Sequence, residues 1–397
     1  MNSCAGKRSR THSWSLSGSK LLLVARREFG AVQLVATLTV VVATVLSWPS
    51  LAAAGETKNV ILITMDGLRW QELFTGADQR LMTKDAGQVD QPEQLRQRYF
   101  RKSSVERRAL LMPFFWNRIA KEGQVFGDPS QNASVRVTNG QFFSYPGYNE
   151  LLCGFGDPAI TSNDKNYNQN VTVLEWLELK PGFENRVAAF ASWDVFPYII
   201  NTQRSGVYVN AGWQPLDVAR DQKLLKAYNE VAANLPRYRS GVRYDAFTFR
   251  GATEYLQVNR PRVLYVSLGE TDDWAHAGRY DLYLDAATKN DQFIRQLWEA
   301  AQQIDQYKGS TTLILTTDHG RGDGREGWKS HSATLPGSDR MWFAVMGPDT
   351  PATGLQKDVE ITQSQTAATL ASLLGYDFTA ADRRIALPVD GVSEPTQ

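Results

Sequence analysis

Five short apolar runs, Asn59–Met65, Arg186–Ala191, Arg262–Leu268, Thr311–Leu315 and Met341–Met346, are separated by stretches of helical periodicity. Those stretches include Pro113–Gly123, Val171–Leu179, Asp245–Val258 and Tyr280–Ile304. A run that is apolar on both of its faces has to be covered on both, and strands alternating with helices pair in parallel. The pattern predicts an α/β fold, with a mostly parallel central sheet and helices on both faces. Thr362–Leu374 predicts a last helix, stopped by Gly375. Two stretches break the alternation. Ala77–Met112 is highly charged with few apolar positions and reads as a surface excursion or lid. Gln203–Arg243, punctuated by Gly206, Gly212, Pro215, Pro236 and Gly241, reads as a second cap segment. Irregular insertions of this length tend to sit at the mouth of a site.

The body of the chain is expected to span residues 55–397, as one large domain carrying insertions near 77–112 and 203–243. Residues 1–54 carry Lys7, Arg8, Arg10, Lys20, Arg26 and Arg27, then an apolar run from Ala31 to Trp48, then Ser-Leu-Ala-Ala-Ala-Gly. This is the order of a secretory signal peptide, cleaved after Ala54. The apolar run is close to the ~18-residue lower limit for a spanning helix, so an uncleaved anchor is the alternative. Either way the body is expected to be exported, to the periplasm or outside the cell. Its two cysteines are Cys4 in the leader and Cys153 in the body, so the body has no internal disulfide to lean on. With 43 basic against 42 acidic residues and no basic stripe, no nucleic-acid-binding surface is evident.

Chemistry concentrates where the predicted strands end. Asn59–Met65 runs into Asp66-Gly67, Thr311–Leu315 into Thr-Thr-Asp318-His319-Gly, and Arg262–Leu268 into Gly-Glu-Thr-Asp272-Asp-Trp-Ala-His276. Ligands of open parallel sheets bind at the carboxyl ends of strands. One aspartate in such a place is usually a turn former or helix cap. Three, two of them with a histidine close by, argue for a shared site. The chain has four histidines; His12 lies in the leader, and the other three are His276, His319 and His331 in Lys-Ser-His-Ser. Imidazole nitrogen and carboxylate oxygen together suit a divalent metal such as zinc. Ser144, in Phe-Phe-Ser144-Tyr-Pro-Gly-Tyr148, is the candidate nucleophile. A serine hydroxyl needs a base or a metal to attack at neutral pH. With three histidines committed to metal, no base is left for a Ser-His-Asp triad, and activation by the metal accounts for both facts.

Taken in order, Val-Ile-Leu-Ile-Thr-Met-Asp66-Gly, Phe-Ser144-Tyr-Pro-Gly-Tyr, Glu-Thr-Asp272-Asp-Trp-Ala-His276, Thr-Asp318-His319-Gly, His331 and the closing Ala-Ala-Thr-Leu-Ala-Ser-Leu-Leu-Gly resemble the alkaline phosphatase superfamily. The resemblance is closest to its phosphodiesterase/nucleotide pyrophosphatase-like branch and runs from residue 59 to about 376. It implies an alkaline phosphatase-like α/β sandwich with two divalent metal ions, expected as Zn2+. One ion would be held by Asp66, Asp318, His319 and the Ser144 oxygen. The other would be held by Asp272, His276 and His331, with Asp273 a neighbour and not a ligand. The resemblance also implies a phosphate-contacting asparagine about twenty residues after the nucleophile. Asn163 is assigned that place among Asn163, Asn166, Asn168 and Asn170.

Departures from the branch bear on substrate. Ser144-Tyr-Pro-Gly stands where threonine followed by Phe-Pro-Asn is common. The fourth residue after Ser144 is Tyr148, not the arginine that the formylglycine signal of sulfatases requires, which disfavours sulfate esters. No Lys-x-Arg pair of the phosphomonoesterases occurs near Ser192-Trp-Asp-Val-Phe-Pro. The expected activity is hydrolysis of small-molecule phosphoric esters, diesters or nucleotide-type substrates, through a phosphoseryl intermediate. Phosphomonoesterase, phosphonate hydrolase or phosphomutase chemistry on the same fold is the alternative, and an inactive metal-stabilised binding protein the alternative of another class. Arg321-Gly-Asp323 reads as loop sequence, and a membrane partner is expected only through an uncleaved leader.

Overall fold

The computed structural model describes residues 57–393, so the leader of residues 1–54 lies outside the described residues. The strands are β1 (Asn59–Met65), β2 (Gln124–Phe126), β3 (Ser134–Arg136), β4 (Val187–Ala191), β5 (Tyr208–Ala211) and β6 (Val263–Leu268). They continue with β7 (Thr311–Thr316), β8 (Arg340–Met341), β9 (Phe343–Met346), β10 (Gly354–Leu355) and β11 (Glu360–Thr362). Eight of them form one sheet in the order β10-β2-β9-β7-β1-β6-β4-β5, and β11-β3-β8 form a small second sheet.

The period of two in a strand divides each apolar run between two cores. In β1, Ile61, Ile63 and Met65 enter one core and Val60 and Leu62 the other. In β6, Leu264, Val266 and Leu268 face the first core, with Val263 and Tyr265 in the second. Each such side chain contributes about 1.5–3 kcal/mol on burial. This two-sided burial is what an uninterrupted apolar strand demands.

β1 pairs in parallel with β6 on one side and β7 on the other. The registers set Met65 opposite Leu268 and Thr64 opposite Thr316, so the chain leaves all three strands at one level. The three strand-end acids of the sequence therefore come from three adjacent strands.

One expectation is corrected. Met341–Met346 is not a single parallel strand: it is cut at Trp342 into β8, in the small sheet, and β9, which runs antiparallel to β7 and β2. Trp342 is fully buried and its Nε1 donates to the Leu68 carbonyl at 2.9 Å, which fixes the crossover. Apolar content does not encode strand direction. The closing helix is Gln365–Leu373, three residues shorter at its start than expected because Thr362 ends β11.

The 77–112 stretch is built into the sheet's first face. Its helices Lys84–Gly87, Pro92–Tyr99 and Ser104–Leu111 bury Leu95, Tyr99 and Leu111, and Leu81, Met82 and Met112 join the same core. Tyr99 Oη lies 3.0 Å from Thr288 Oγ1 on the long helix Tyr280–Gln302. No described helix is long and apolar enough to cross a membrane.

Candidate metal centre and active site

Ser144 is the first residue of the helix Ser144–Cys153, so it stands at the helix's positive dipole end. The turn before it is built for that position. Phe142 takes a left-handed φ of 56°, held by the Asn139 side chain, whose Oδ1 accepts from the N–H groups of Gln141 at 2.8 Å and Phe142 at 3.1 Å. Ser144 Oγ then stands 3.4 Å from His319 Nε2. The same nitrogen is 3.4 Å from Asp66 Oδ1 and 3.4 Å from Asp318 Oδ2. Both of those carboxylate oxygens are buried without a hydrogen-bond partner among the described residues.

The outer atoms of this cluster are all engaged. Tyr148 donates to Asp66 Oδ2 at 2.9 Å, and the Gly67 N–H donates to Asp318 Oδ1 at 3.1 Å. His319 Nδ1 lies 2.9 Å from the Gly320 carbonyl. A carbonyl only accepts, so Nδ1 carries the hydrogen and Nε2 presents a lone pair. Burial first, then the like charge of Asp272 for Asp66 and of Asp66 for Asp318, pushes both carboxyls well above their usual range. Two unpaired carboxylate oxygens and an imidazole lone pair converging on a buried serine hydroxyl fit a divalent cation.

A second cluster adjoins the first. His276 Nε2 is 3.4 Å and His331 Nε2 3.6 Å from Asp272 Oδ1, and the two nitrogens are 3.0 Å apart. Asp272 and His276 sit one turn apart on the helix Glu270–His276 that follows β6. His331 Nδ1 lies 3.1 Å from the Phe142 carbonyl, which again frees Nε2. The His319 and His331 rings stack at 3.9 Å, so the clusters share a wall. Burial, then the neighbouring His319, holds His331 down at about 2 and hence neutral. Burial alone would raise Asp272, but Arg321, His276 and His331 outweigh it and hold the carboxyl well below the usual range.

Arg321 lies in a loop, as its sequence suggests, but it is not a solvated loop residue. It is fully buried, donates from Nη1 to Asp272 Oδ1, and from Nε and Nη2 to the carbonyls of Trp328 at 2.9 Å and Lys329 at 2.6 Å. Asp272 is thus shared between a guanidinium and two imidazoles; a carboxylate offers about four lone-pair sites, enough for both. The motif glycine Gly67 is explained at the same place. With φ 59°, a Cβ there would meet Arg321 Nη1 at 2.7 Å and Asp272 Oδ1 at 3.1 Å. Gly147 is as constrained, since a Cβ would lie 2.5 Å from the Asp318 carbonyl oxygen.

All seven sequence-assigned ligand residues come together in these two clusters. Asn163 lines the same cavity as Ser144, Asp66, Asp272 and His276, about 340 Å³ in volume, and its Oδ1 accepts from the Tyr145 N–H at 2.9 Å. Asn168 and Asn170 are instead buried in structural bonds to Asn149. The opposite wall is Trp193 with Arg239, Ser240, Gly241 and Val242. Of the two insertions, 203–243 therefore walls the cavity, whereas no residue of 77–112 lines it. Asp273, read as a neighbour, faces the cavity with its carboxyl pushed up to about 7 by burial and by Asp272, Arg239 opposing. Tyr148, Arg321 and Arg239 escaped sequence reasoning. Tyr148 had a signal, since residues four apart share a helix face with Ser144.

The family model of type I phosphodiesterase / nucleotide pyrophosphatase matches residues 92–338. No curated protein matches the sequence. Among solved structures, wild-type alkaline phosphatase PafA is similar at TM-score 0.54 and 10% identity, over 85% of this chain and 99% of that one. The lipoteichoic acid synthase LtaP from Listeria monocytogenes is similar at TM-score 0.51 and 12% identity, over 86% of this chain and 76% of its own. At these identities the likeness is one of fold: a large, mostly parallel sheet of the alkaline phosphatase type.

Proposed function

The chain belongs to the type I phosphodiesterase / nucleotide pyrophosphatase family, and from that premise we propose that this ester-hydrolysing enzyme is an exported two-zinc phosphodiesterase acting through Ser144. One observation carries the reading. Asp66 Oδ1 and Asp318 Oδ2, buried and without partners among the described residues, converge with His319 Nε2 beside the Ser144 hydroxyl. Asp66, Asp318 and His319 would hold one ion with Ser144, and Asp272, His276 and His331 the other. When bound, such ions supply Lewis acidity that acidifies a hydroxyl and offsets charge on phosphoryl and leaving oxygens.

The chain's own groups do the rest. Ser144 Oγ loses its proton to solvent and attacks phosphorus, the bond to the leaving oxygen breaks, and that oxygen takes a proton from solvent. Water then attacks the phosphoseryl group, releasing the phosphate monoester and restoring Ser144. The positive end of the helix Ser144–Cys153, with the Ser144 N–H, favours the phosphoryl charge. Asn163, turned by the Tyr145 N–H, has its amide nitrogen available to the same oxygens. With each Nδ1 fixed on a carbonyl, the Nε2 lone pairs of His319 and His331 are the atoms that would be committed to an ion, which would leave neither as a base. Phosphoryl rather than sulfuryl transfer is supported by Tyr148. It stands where the formylglycine signal needs arginine, and it holds Asp66 instead. The leader's basic stretch and small-residue end support export.

The test compares rates on bis-p-nitrophenyl phosphate, p-nitrophenyl phosphate and p-nitrophenyl sulfate, with and without chelator, alongside metal content. The diester is expected to be fastest, chelation to abolish turnover, and Ser144→Ala to cost on the order of 10³-fold or more. Normal turnover by Ser144→Ala would overturn the covalent route.

A further inference from the structure

We infer that Arg239 is a specificity-determining residue that receives a second anionic group, carried on the leaving group of the substrate. The inference rests on the phosphodiesterase reading above and narrows its substrate class. Asp66, Asp272 and Asp273 give the cavity a strongly acidic floor, and Arg239 is the one guanidinium or ammonium among its lining residues.

Where Arg239 stands matters. Its Nε lies 3.2 Å from Asp273 Oδ1, and Asp273 adjoins Asp272 of the His276–His331 cluster; with Ser144 on the other cluster, this one would serve the leaving oxygen. Arg239 therefore stands beside that cluster, at the end a leaving group would occupy.

The main chain that carries it is fixed independently of that ion pair. Trp213 Nε1 donates to the Arg239 carbonyl at 3.3 Å, the Tyr238 ring stacks on Trp274 at 4.7 Å, and the Asp194 N–H donates to the Gly241 carbonyl at 2.8 Å. Its side chain is different. It is 45% exposed and makes no hydrogen bond among the described residues, the Asp273 contact included.

The simpler account makes Arg239 a counter-ion for Asp273. A pair this exposed contributes little to a fold, and one nitrogen suffices for it. That leaves the two terminal nitrogens of the fork without a hydrogen bond among the described residues, with the guanidinium carbon 5.5 Å from the Tyr238 ring centroid, and a guanidinium so placed can still bind carboxylate or phosphate bidentately. A substrate anion can occupy them while Nε stays beside Asp273, with no rearrangement of the main chain. The substrate class is a phosphoric diester whose leaving alcohol bears a carboxylate or a phosphorus oxyanion.

The test uses methyl phosphate diesters of 3-carboxyphenol, 3-phosphonophenol and neutral 3-carbamoylphenol with the zinc-loaded full chain. Wild type is expected to prefer an anionic over the neutral leaving group by about ten-fold in kcat/KM, which is about 1.4 kcal/mol. In Arg239→Gln the ratio should fall to about one, and Arg239→Lys should keep part of it, since a charge remains but the fork is lost. Whichever anion gives the larger ratio identifies the group bound. A merely structural Arg239 would slow all three diesters alike and leave the ratio standing, which would overturn the inference, as would a wild-type ratio of one. Calorimetric binding of the same diesters to Ser144→Ala, with and without Arg239→Gln, reads the same ratio without turnover. If no diester is cleaved by wild type, the phosphodiesterase reading fails, while an anion preference lost with Arg239 still supports this one.

Discussion

Tyr148 donates its hydroxyl to Asp66 Oδ2 at 2.9 Å, and that single bond decides which oxygen of Asp66 faces the site. The tyrosine is itself fully buried and receives the Ser267 hydroxyl at 3.2 Å, so its own position is fixed. Partners of this kind orient ligands, and losing them typically weakens metal affinity by about 10–100-fold. Tyr148→Phe is therefore expected to keep the fold and Ser144 in place while lowering zinc affinity by that factor, read by competition with a fluorescent chelator. Unchanged affinity would mean that Asp66 is held in some other way.

Asp318→Asn should separate stability from function. In the metal-free protein Asp66 and Asp318 both have folded pKa values raised above their unfolded ones, by burial first and then by their acidic neighbours. Such groups stabilise fully below the unfolded pKa, and that contribution is lost as pH rises through the folded value. Metal-free wild type should thus lose stability relative to Asp318→Asn as pH climbs above the ordinary carboxylate range. By pH 8 the variant should be the more stable by about 1–3 kcal/mol, the cost of one buried unpaired polar atom. Urea unfolding in chelator from pH 4 to 8 measures the difference, and the variant should no longer bind zinc at the first cluster.

Arg321→Met removes the cation from Asp272 and two bonds from the segment leading to His331. Breaking one partner out of a buried charged pair costs about 3–5 kcal/mol. Unfolding should report that loss, and metal analysis should report one equivalent bound against the two proposed for wild type. Arg321→Lys should rescue little, because an ammonium cannot serve three acceptors spread over the plane of a guanidinium.

Gly147→Ala tests the docking of the nucleophile helix. The new methyl would sit 2.5 Å from the Asp318 carbonyl oxygen, so the helix has to shift. Overpacking of this sort costs about 1–3 kcal/mol. A displacement near 1 Å at Ser144, now 3.4 Å from His319 Nε2, should lower kcat by about 100-fold while metal content stays the same.

The legible part of the molecule was the part that obeys local periodicity. β1, β6 and β7 announce themselves as apolar runs, and parallel pairing brings Asp66, Asp272 and Asp318 to one edge, so the acids could be found from strand ends alone. His331 was findable only through its scarcity and the resemblance, since it rides on an irregular segment. Arg321 was lost because nothing in Gly-Arg-Gly-Asp distinguishes a buried guanidinium from a solvated one; its burial depends on carbonyls of Trp328 and Lys329 that fold back over it. β9 was given the wrong direction for a related reason, as its sense is set by a crossover at Trp342 that leaves no mark on its own residues. The 77–112 stretch was read as surface because it has few apolar residues, yet these few are the ones that meet the core.

The first cluster draws on residues 66, 144, 318 and 319, which meet only after the chain has closed a loop of some 250 residues. Its atoms converge from the ends of β1 and β7 and from the start of a helix between them, so no fragment short of that span holds all of it. Contacts this distant in sequence form late and slowly during folding. Tight metal uptake at this cluster should therefore report completion of the fold. A nascent or truncated chain would leave the ion in solution, and ion binding would act as a final lock instead of a seed.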